Sequence, residues 1–419
     1  MNVGKRCSAA WACSGSPFRP ITKGPPRTML RLIFLFLIAF LVGADEFLLG
    51  PILTPIGADL SVPPERIALF VTAYSLPLAI MAPILGAVSD RYGRIAILVP
   101  STLVFGLASI ATSFAPTFET GIVTRVLTGA ASGGMLGIAM AMAGDLGEKA
   151  APKAIAFVTS GLTLGIILSP GIGVLSAEMW SWRFAFAALG GLALIVVLVG
   201  LPPLRGKSAP DNRPHAGRDN GAGPLFVAGA WGSLIAMAFG LGGAVGCFAL
   251  VGERLRALFE WDTATVGMVY AAFGILTLIG NFTMPWALTR AGSGRALMRI
   301  ALVFVLAAVV VTYAFDASGP VLIGLALVVW AVLGGMGAPG LQTHIAQLSP
   351  SRRGALMALA GSSTNLGVAG ASALAATVYP AGAEWVAVVG VGLIAIAIVA
   401  LRPVPLGKPE LVSAGKLDL

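Results

Sequence analysis

Charge is scarce in this chain. Of its 419 residues only 11% are Asp, Glu, Lys or Arg, under half the roughly 25% that covers a water-facing globular surface. Composition therefore speaks against a soluble enzyme. Histidine occurs twice, too rarely to build a metal centre, and the three cysteines, Cys7, Cys13 and Cys247, show no C-x-x-C spacing. Neither a disulfide framework nor a zinc site follows, and no metal and no cofactor are expected. The phosphate loop G-x-x-x-x-G-K-[ST] is missing, so ATP-driven work would need another subunit. A polytopic membrane enzyme would need a nucleophile with its base or a metal cluster, and nothing in the sequence supplies either.

Apolar residues are abundant. They make up 57% of the chain, and the mean hydropathy is +0.91. Runs of about 20 residues, enough to cross a roughly 30 Å hydrocarbon core, recur over 31–57, 66–89, 95–114, 117–144, 152–175, 183–201, 225–252, 263–288, 296–315, 319–346, 353–379 and 384–401. No polar helix faces are present to cover such a mass in water. Glycine, at 54 residues, suits helices packed backbone to backbone in lipid. The predicted fold class is an all-α polytopic membrane protein with twelve transmembrane helices.

Lysine and arginine accumulate in cytoplasmic loops. With the N-terminus inside, 22 of the 27 Lys and Arg fall in the inner segments, and only Arg66, Arg183, Arg254 and Arg256 fall in outer loops. Both termini are thus expected in the cytoplasm. The net charge of +9 and pI near 9.9 express that topology rather than a nucleic-acid surface, and no nucleic-acid partner is expected. Residues 1–28 are basic and lack an acid, reading as a cytoplasmic tail or as sequence ahead of a translation start at Met29. The polar, proline-bearing stretch 202–224 divides two six-helix bundles, 29–201 and 225–401, and 402–419 forms a cytoplasmic tail. The halves resemble each other: Val126 to Gly134 aligns without gaps to Val332 to Gly340 at an offset of 206 residues, as in transporters built from repeats.

Between the second and third spans the chain reads Gly86-Ala87-Val88-Ser89-Asp90-Arg91-Tyr92-Gly93-Arg94. This resembles the G-x-x-x-D-R-x-G-R signature of the major facilitator superfamily. Gly86 is expected to let span 2 approach a neighbour, and Gly93 to permit a tight turn. Arg91 and Arg94 are expected to hold the loop at the anionic inner face. Asp90 is expected to face the N-terminal dipole of span 11. The resemblance implies that this network latches the inner gate. In span 5, Gly161, Gly165, Pro170, Gly171 and Gly173 resemble the family's antiporter motif, with Ser169 where a glycine is usual. Span 1 with Glu46-Phe47 and Asp59-Leu60, Arg125 to Gly129 in span 4 and Trp182-Arg183-Phe184 are similar to the arabinose-efflux and drug:proton antiporter branch. That resemblance implies two pseudo-symmetric bundles in the inner membrane of a bacterial cell. It further implies a proton-coupled exporter of a small apolar or amphipathic molecule or drug; a sugar or organic-acid:proton symporter is the alternative. The expected partners are a small-molecule substrate, protons and the lipid bilayer, with the protein a monomer.

An ionisable group inside the bilayer costs several kcal/mol unless paired or hydrated. Asp45, Glu46 and Arg125 are the clear cases. Adjacent residues on a helix point about 100° apart, so only one acid can face Arg125, and the family alignment favours Glu46, leaving Asp45 toward the cavity or a neighbouring helix. The group reads either as a static pair joining spans 1 and 4 or as a proton carrier, since two acids beside one arginine cannot both be neutralised. The second half offers only Asn281, Gln342, His344 and Asn365, and Tyr74, Trp231, Phe239, Phe273 and Trp330 are the aromatic candidates for a cavity lining.

Overall fold

The computed structural model describes residues 26–146, 150–204, 229–316, 319–349 and 353–402. The expected tails and most of the 202–224 linker lie outside the described residues. Among these, every regular element is helical. The first half comprises α1 (Pro26–Phe47), α2 (Leu53–Leu60), α3 (Pro64–Ile67), α4 (Leu69–Tyr92), α5 (Arg94–Ser113), α6 (Phe118–Gly133), α7 (Leu136–Gly144), α8 (Ala151–Met179) and α9 (Trp182–Leu204). The second comprises α10 (Ala230–Ile235), α11 (Gly243–Phe248), α12 (Val251–Phe259), α13 (Thr263–Ala291), α14 (Gly294–Ala314), α15 (Pro320–Leu348), α16 (Arg353–Val378) and α17 (Ala383–Ala400).

Eleven helical stretches among the described residues are long and apolar enough to cross a membrane. The twelfth crossing is α16, whose 26 residues suffice in length but whose Gly361-Ser362-Ser363-Thr364-Asn365 run lowers its hydropathy. Three of the expected continuous spans are interrupted. Span 1 ends at Phe47, passes through a 3-10 turn at Gly50–Ile52 and resumes as α2. Span 4 breaks between α6 and α7 at Gly134-Met135. Span 7 carries a seven-residue π segment, Ala236–Gly242, between α10 and α11. Local chemistry sets several helix ends: Thr117 Oγ1 accepts from the Thr120 amide to start α6, and Asp262 and Ser293 accept from Thr265 and Ala296 to start α13 and α14. Gly93 joins α4 to α5 at φ +96, a conformation that glycine adopts without a side-chain penalty, as the sequence predicts.

Small residues bring the helices together. α8 lies along α1, with Gly161 against the Phe36 carbonyl, Gly165 against the Phe40 carbonyl and Gly173 against Leu48. Gly129 on α6 presses on Tyr74 of α4, and Gly335 on α15 presses on Thr277 of α13. Those two glycines fall opposite each other in the 206-residue alignment, so the repeat is one of packing as well as of sequence. α4 packs on α16 and α8 on α13, joining the two halves.

Candidate functional site

The buried charges come together where α1 meets α6. Asp45 and Arg125 are both fully buried, and Arg125 NH1 donates to both carboxylate oxygens of Asp45 at 2.8 Å. The pairing expected from the alignment is thereby reversed: Asp45, and not Glu46, neutralises the arginine. The reason is rotational. Phe47 ends the regular helix, and the 100° between neighbouring side chains aims Asp45 at α6 and Glu46 at the seam between halves.

Arg125 is held by rings on its other sides. Its guanidinium carbon lies 4.6 Å from the Tyr74 ring centroid and 5.4 Å from that of Phe186, within cation–π range. Its Nε and second NH group have no hydrogen-bond partner among the described residues. Tyr74, expected in the cavity lining, is 1% exposed and stands behind the arginine. Phe186 was not legible as part of this site, because an aromatic on a hydrophobic span carries no signal of its own.

Glu46 lines a narrow cleft between the halves together with Phe47, Gly50 and Val71 of the first and Val245, Phe248, Tyr270 and Val368 of the second. Among the described residues it makes no ion pair and no hydrogen bond to a side chain. Across the cleft stands an aromatic cluster, with the Phe248 ring centroid 4.1 Å from Phe273, 4.9 Å from Tyr270 and 5.7 Å from Trp330. Two of the predicted aromatics, Phe273 and Trp330, thus meet, whereas Trp231 and Phe239 are exposed and take no part in that cluster. Asn281 and Gln342 are half-buried. His344 leaves a buried Nε2 without a partner, and Asn365 donates to the Gly361 carbonyl while its Oδ1 stays unpaired.

At the end carrying Gly86 to Arg94, the signature departs from expectation at Gly86. A Cβ on Gly86 would meet nothing within 4 Å, so this glycine serves no close approach here. Asp90 is exposed and has no ion pair among the described residues, and the start of span 11 expected to face it, 350–352, lies outside them. Arg94 instead pairs with Asp145 at the end of α7, an acid that sequence reading passed over, and Arg91 lies 5.4 Å from the Tyr92 ring. In the antiporter motif Gly161, Gly165 and Gly173 are packing positions, Pro170 lies inside α8 and Gly171 faces open space.

Hydrogen bonds between the halves gather at the opposite, far end. Thr54 donates to both oxygens of Glu253, Arg256 donates to the Pro51 carbonyl, and Thr72 meets Ser372 and the Ala369 carbonyl. Asp59 at this end also gathers Trp182 and Arg183, joining two segments that the family resemblance had singled out separately.

A polytopic helical chain with two repeat-related halves, buried charges on the first helix and a cleft between the halves has the build of a secondary transporter. Comparison with known proteins agrees. The chain is 28% identical over 396 residues to the class G tetracycline resistance protein of Vibrio anguillarum, covering 86% of this chain and 95% of that one. It is 25% identical over 262 residues to the uncharacterized MFS-type transporter YfhI of Bacillus subtilis, covering 61% of this chain and 64% of the relative, so the match spans just under two thirds of that protein's length. Among solved structures, a bacterial homolog to the human lysosomal transporter Spinster superposes with a TM-score of 0.68 at 16% identity, covering 90% of this chain and 96% of that one. The family model described as Major Facilitator Superfamily matches residues 35–343, and the chain belongs to that superfamily of multi-pass membrane transporters.

Proposed function

We propose that the protein is a proton-coupled exporter that exchanges a small apolar or amphipathic molecule, of the kind a drug represents, for protons by alternating access. In this reading it resides in the inner membrane of a bacterial cell with both termini cytoplasmic. It acts as a monomer, with substrate, protons and lipid as its partners and no nucleic acid. The observation that carries the reading is the division of labour between adjacent acids. Asp45 is neutralised by Arg125, whereas Glu46 lines the cleft and makes no ion pair among the described residues. A lone carboxylate at the seam between two moving halves is in a position to hold either a proton or a substrate, and mutual exclusion at such a site suffices for antiport. The rings of Phe248 and Tyr270 in the cleft lining, backed by Phe273 and Trp330, favour an apolar or amphipathic ligand over a sugar, whose hydroxyls would find few partners there. A relative named for tetracycline resistance supports export.

The test is transport in proteoliposomes with an imposed pH gradient. Glu46→Gln is expected to abolish uphill export while downhill exchange of substrate persists. A double Asp45→Asn, Glu46→Gln variant that still concentrates substrate would move the coupling site elsewhere, with His344 the next residue to examine.

A further inference from the structure

The far-end closure contains one carboxylate that the coupling scheme does not use. Glu253 sits on α12, beyond the last membrane-crossing turn of span 7, and is 8% exposed. Thr54 Oγ1 lies 2.8 and 2.9 Å from its two oxygens, and Arg256 NH1 lies 2.8 Å from one of them. The same Arg256 reaches back across the seam to the Pro51 carbonyl at 2.7 Å, and Tyr270 packs against Gly50 while accepting from the Gly252 amide at 3.1 Å. Glu253 thus joins the two halves through side chains that must part whenever this end opens.

We propose that Glu253 is a second proton-binding site, on the far side of the membrane, and that its protonation favours the closed clasp. Its surroundings are specific. On its own helix Arg256 attracts the charge, whereas Arg254 is turned away to Asp316 and the Thr312 carbonyl. α2 contributes the neutral hydroxyl of Thr54, α3 the like charge of Glu65, and α13 and the turn after α16 contribute the phenols of Tyr270 and Tyr379. Asp262 at the head of α13, which accepts from the Thr265 amide, adds a second acid within electrostatic range of Arg256. Burial dominates this balance, and with Glu65 it raises the Glu253 carboxyl above its ordinary 4.5 despite Arg256 and Thr54. An open clasp returns the group to water and to its ordinary value. The closed form therefore holds the proton more tightly than the open form, and by linkage acidification favours closure, with the effect growing as pH falls from above the closed-state value toward 4.5. That order suits an exchanger: a proton taken from the far-side solution licenses closure there and opening on the other side.

The experiment places spin labels on the exposed residues Ala58 of α2 and Ala257 of α12, as Ala58→Cys and Ala257→Cys with Cys7, Cys13 and Cys247 replaced by alanine. Distances are read in lipid nanodiscs without substrate between pH 5 and 8. With Glu253 intact, the short-distance population is expected to grow on acidification, its ratio to the long population changing by at most about tenfold per pH unit for one proton. Glu253→Gln should hold the short distance at every pH, and Thr54→Val should lengthen the population at every pH while keeping the pH response. A distribution unchanged between pH 5 and 8 with Glu253 intact overturns the proposal, as does the opposite sign or a Glu253→Gln protein with an undiminished pH response. Because the first arm needs no change at Glu253, it decides the matter even where that variant does not fold. The readout involves no transport, so uphill export can fail to depend on Glu46 while the clasp still answers to pH, and the reverse.

Discussion

Asp45 and Arg125 are worth most as a pair. Breaking a buried pair by removing one partner costs about 3–5 kcal/mol, because the other charge is left uncompensated, whereas removing both is often nearly neutral. Arg125→Ala is therefore expected to lower the thermal midpoint in detergent sharply, and Asp45→Asn combined with Arg125→Gln to recover most of the loss. Equal destabilisation by the single and double changes would show that the charges are not coupled. The Tyr74 and Phe186 rings that box the guanidinium stand in for missing hydrogen-bond acceptors. At the other end, the Arg94–Asp145 pair is partly exposed, and such pairs contribute about 0–1 kcal/mol. Asp90 is free of ion pairs among the described residues in this closed-at-the-far-end form. Asp90→Asn should accordingly slow transport while leaving substrate affinity intact, as measured by rate and binding side by side with expression controlled. Normal transport would remove the latch role that the signature implies.

Among elements, the contact of α1 with α8 is made by absent side chains. A methyl group on Gly165 would run into the Phe40 carbonyl, and one on Gly129 into the Tyr74 carbonyl. Backbone atoms cannot step aside as a flexible side chain can, and overpacking of this kind costs typically about 1–3 kcal/mol. Gly165→Ala and Gly129→Ala should each lower the thermal midpoint, while Gly171→Ala, with nothing within 4 Å, should leave it unchanged. A loss at Gly171 as large as at Gly165 would contradict the packing. The break after Phe47 has the opposite role: it frees α1 from running straight to Leu60 and turns Glu46 to the seam. Such a bend has no signal in hydropathy, which is why 31–57 reads as one continuous span.

Among the described residues the side-chain bonds between the halves gather at the far end, and the expected orientation follows from where Lys and Arg lie. In intact cells a membrane-impermeant thiol reagent is expected to label Glu119→Cys, at the far-end start of α6, and to spare Thr289→Cys, near the arginine-rich end of α13. The reverse pattern would invert the topology, and with it the side on which Glu253 meets protons. How much was legible in advance varies with the range of the physics involved. The number of crossings, the charge-poor interior and the Gly93 turn depend on residues near in sequence, so period and composition carry them, whereas which glycine meets a neighbour depends on helices distant in the chain, and Gly86 meets none.

The sequence by itself determined that the chain crosses a membrane many times, that its halves repeat, and that Asp45, Glu46 and Arg125 are the clear ionisable groups inside its spans, because length, hydropathy and spacing settle those matters locally. Only the tertiary structure decided which acid Arg125 takes, that Tyr74 supports it rather than facing the cleft, that Phe248 gathers Tyr270, Phe273 and Trp330, and that Thr54 meets Glu253 from 199 residues away. Each of these depends on the rotation of one helix about its axis against another. A single residue turns a side chain by about 100°, so azimuth is set by the sum of kinks, glycine contacts and neighbouring helices rather than by any segment of the chain alone.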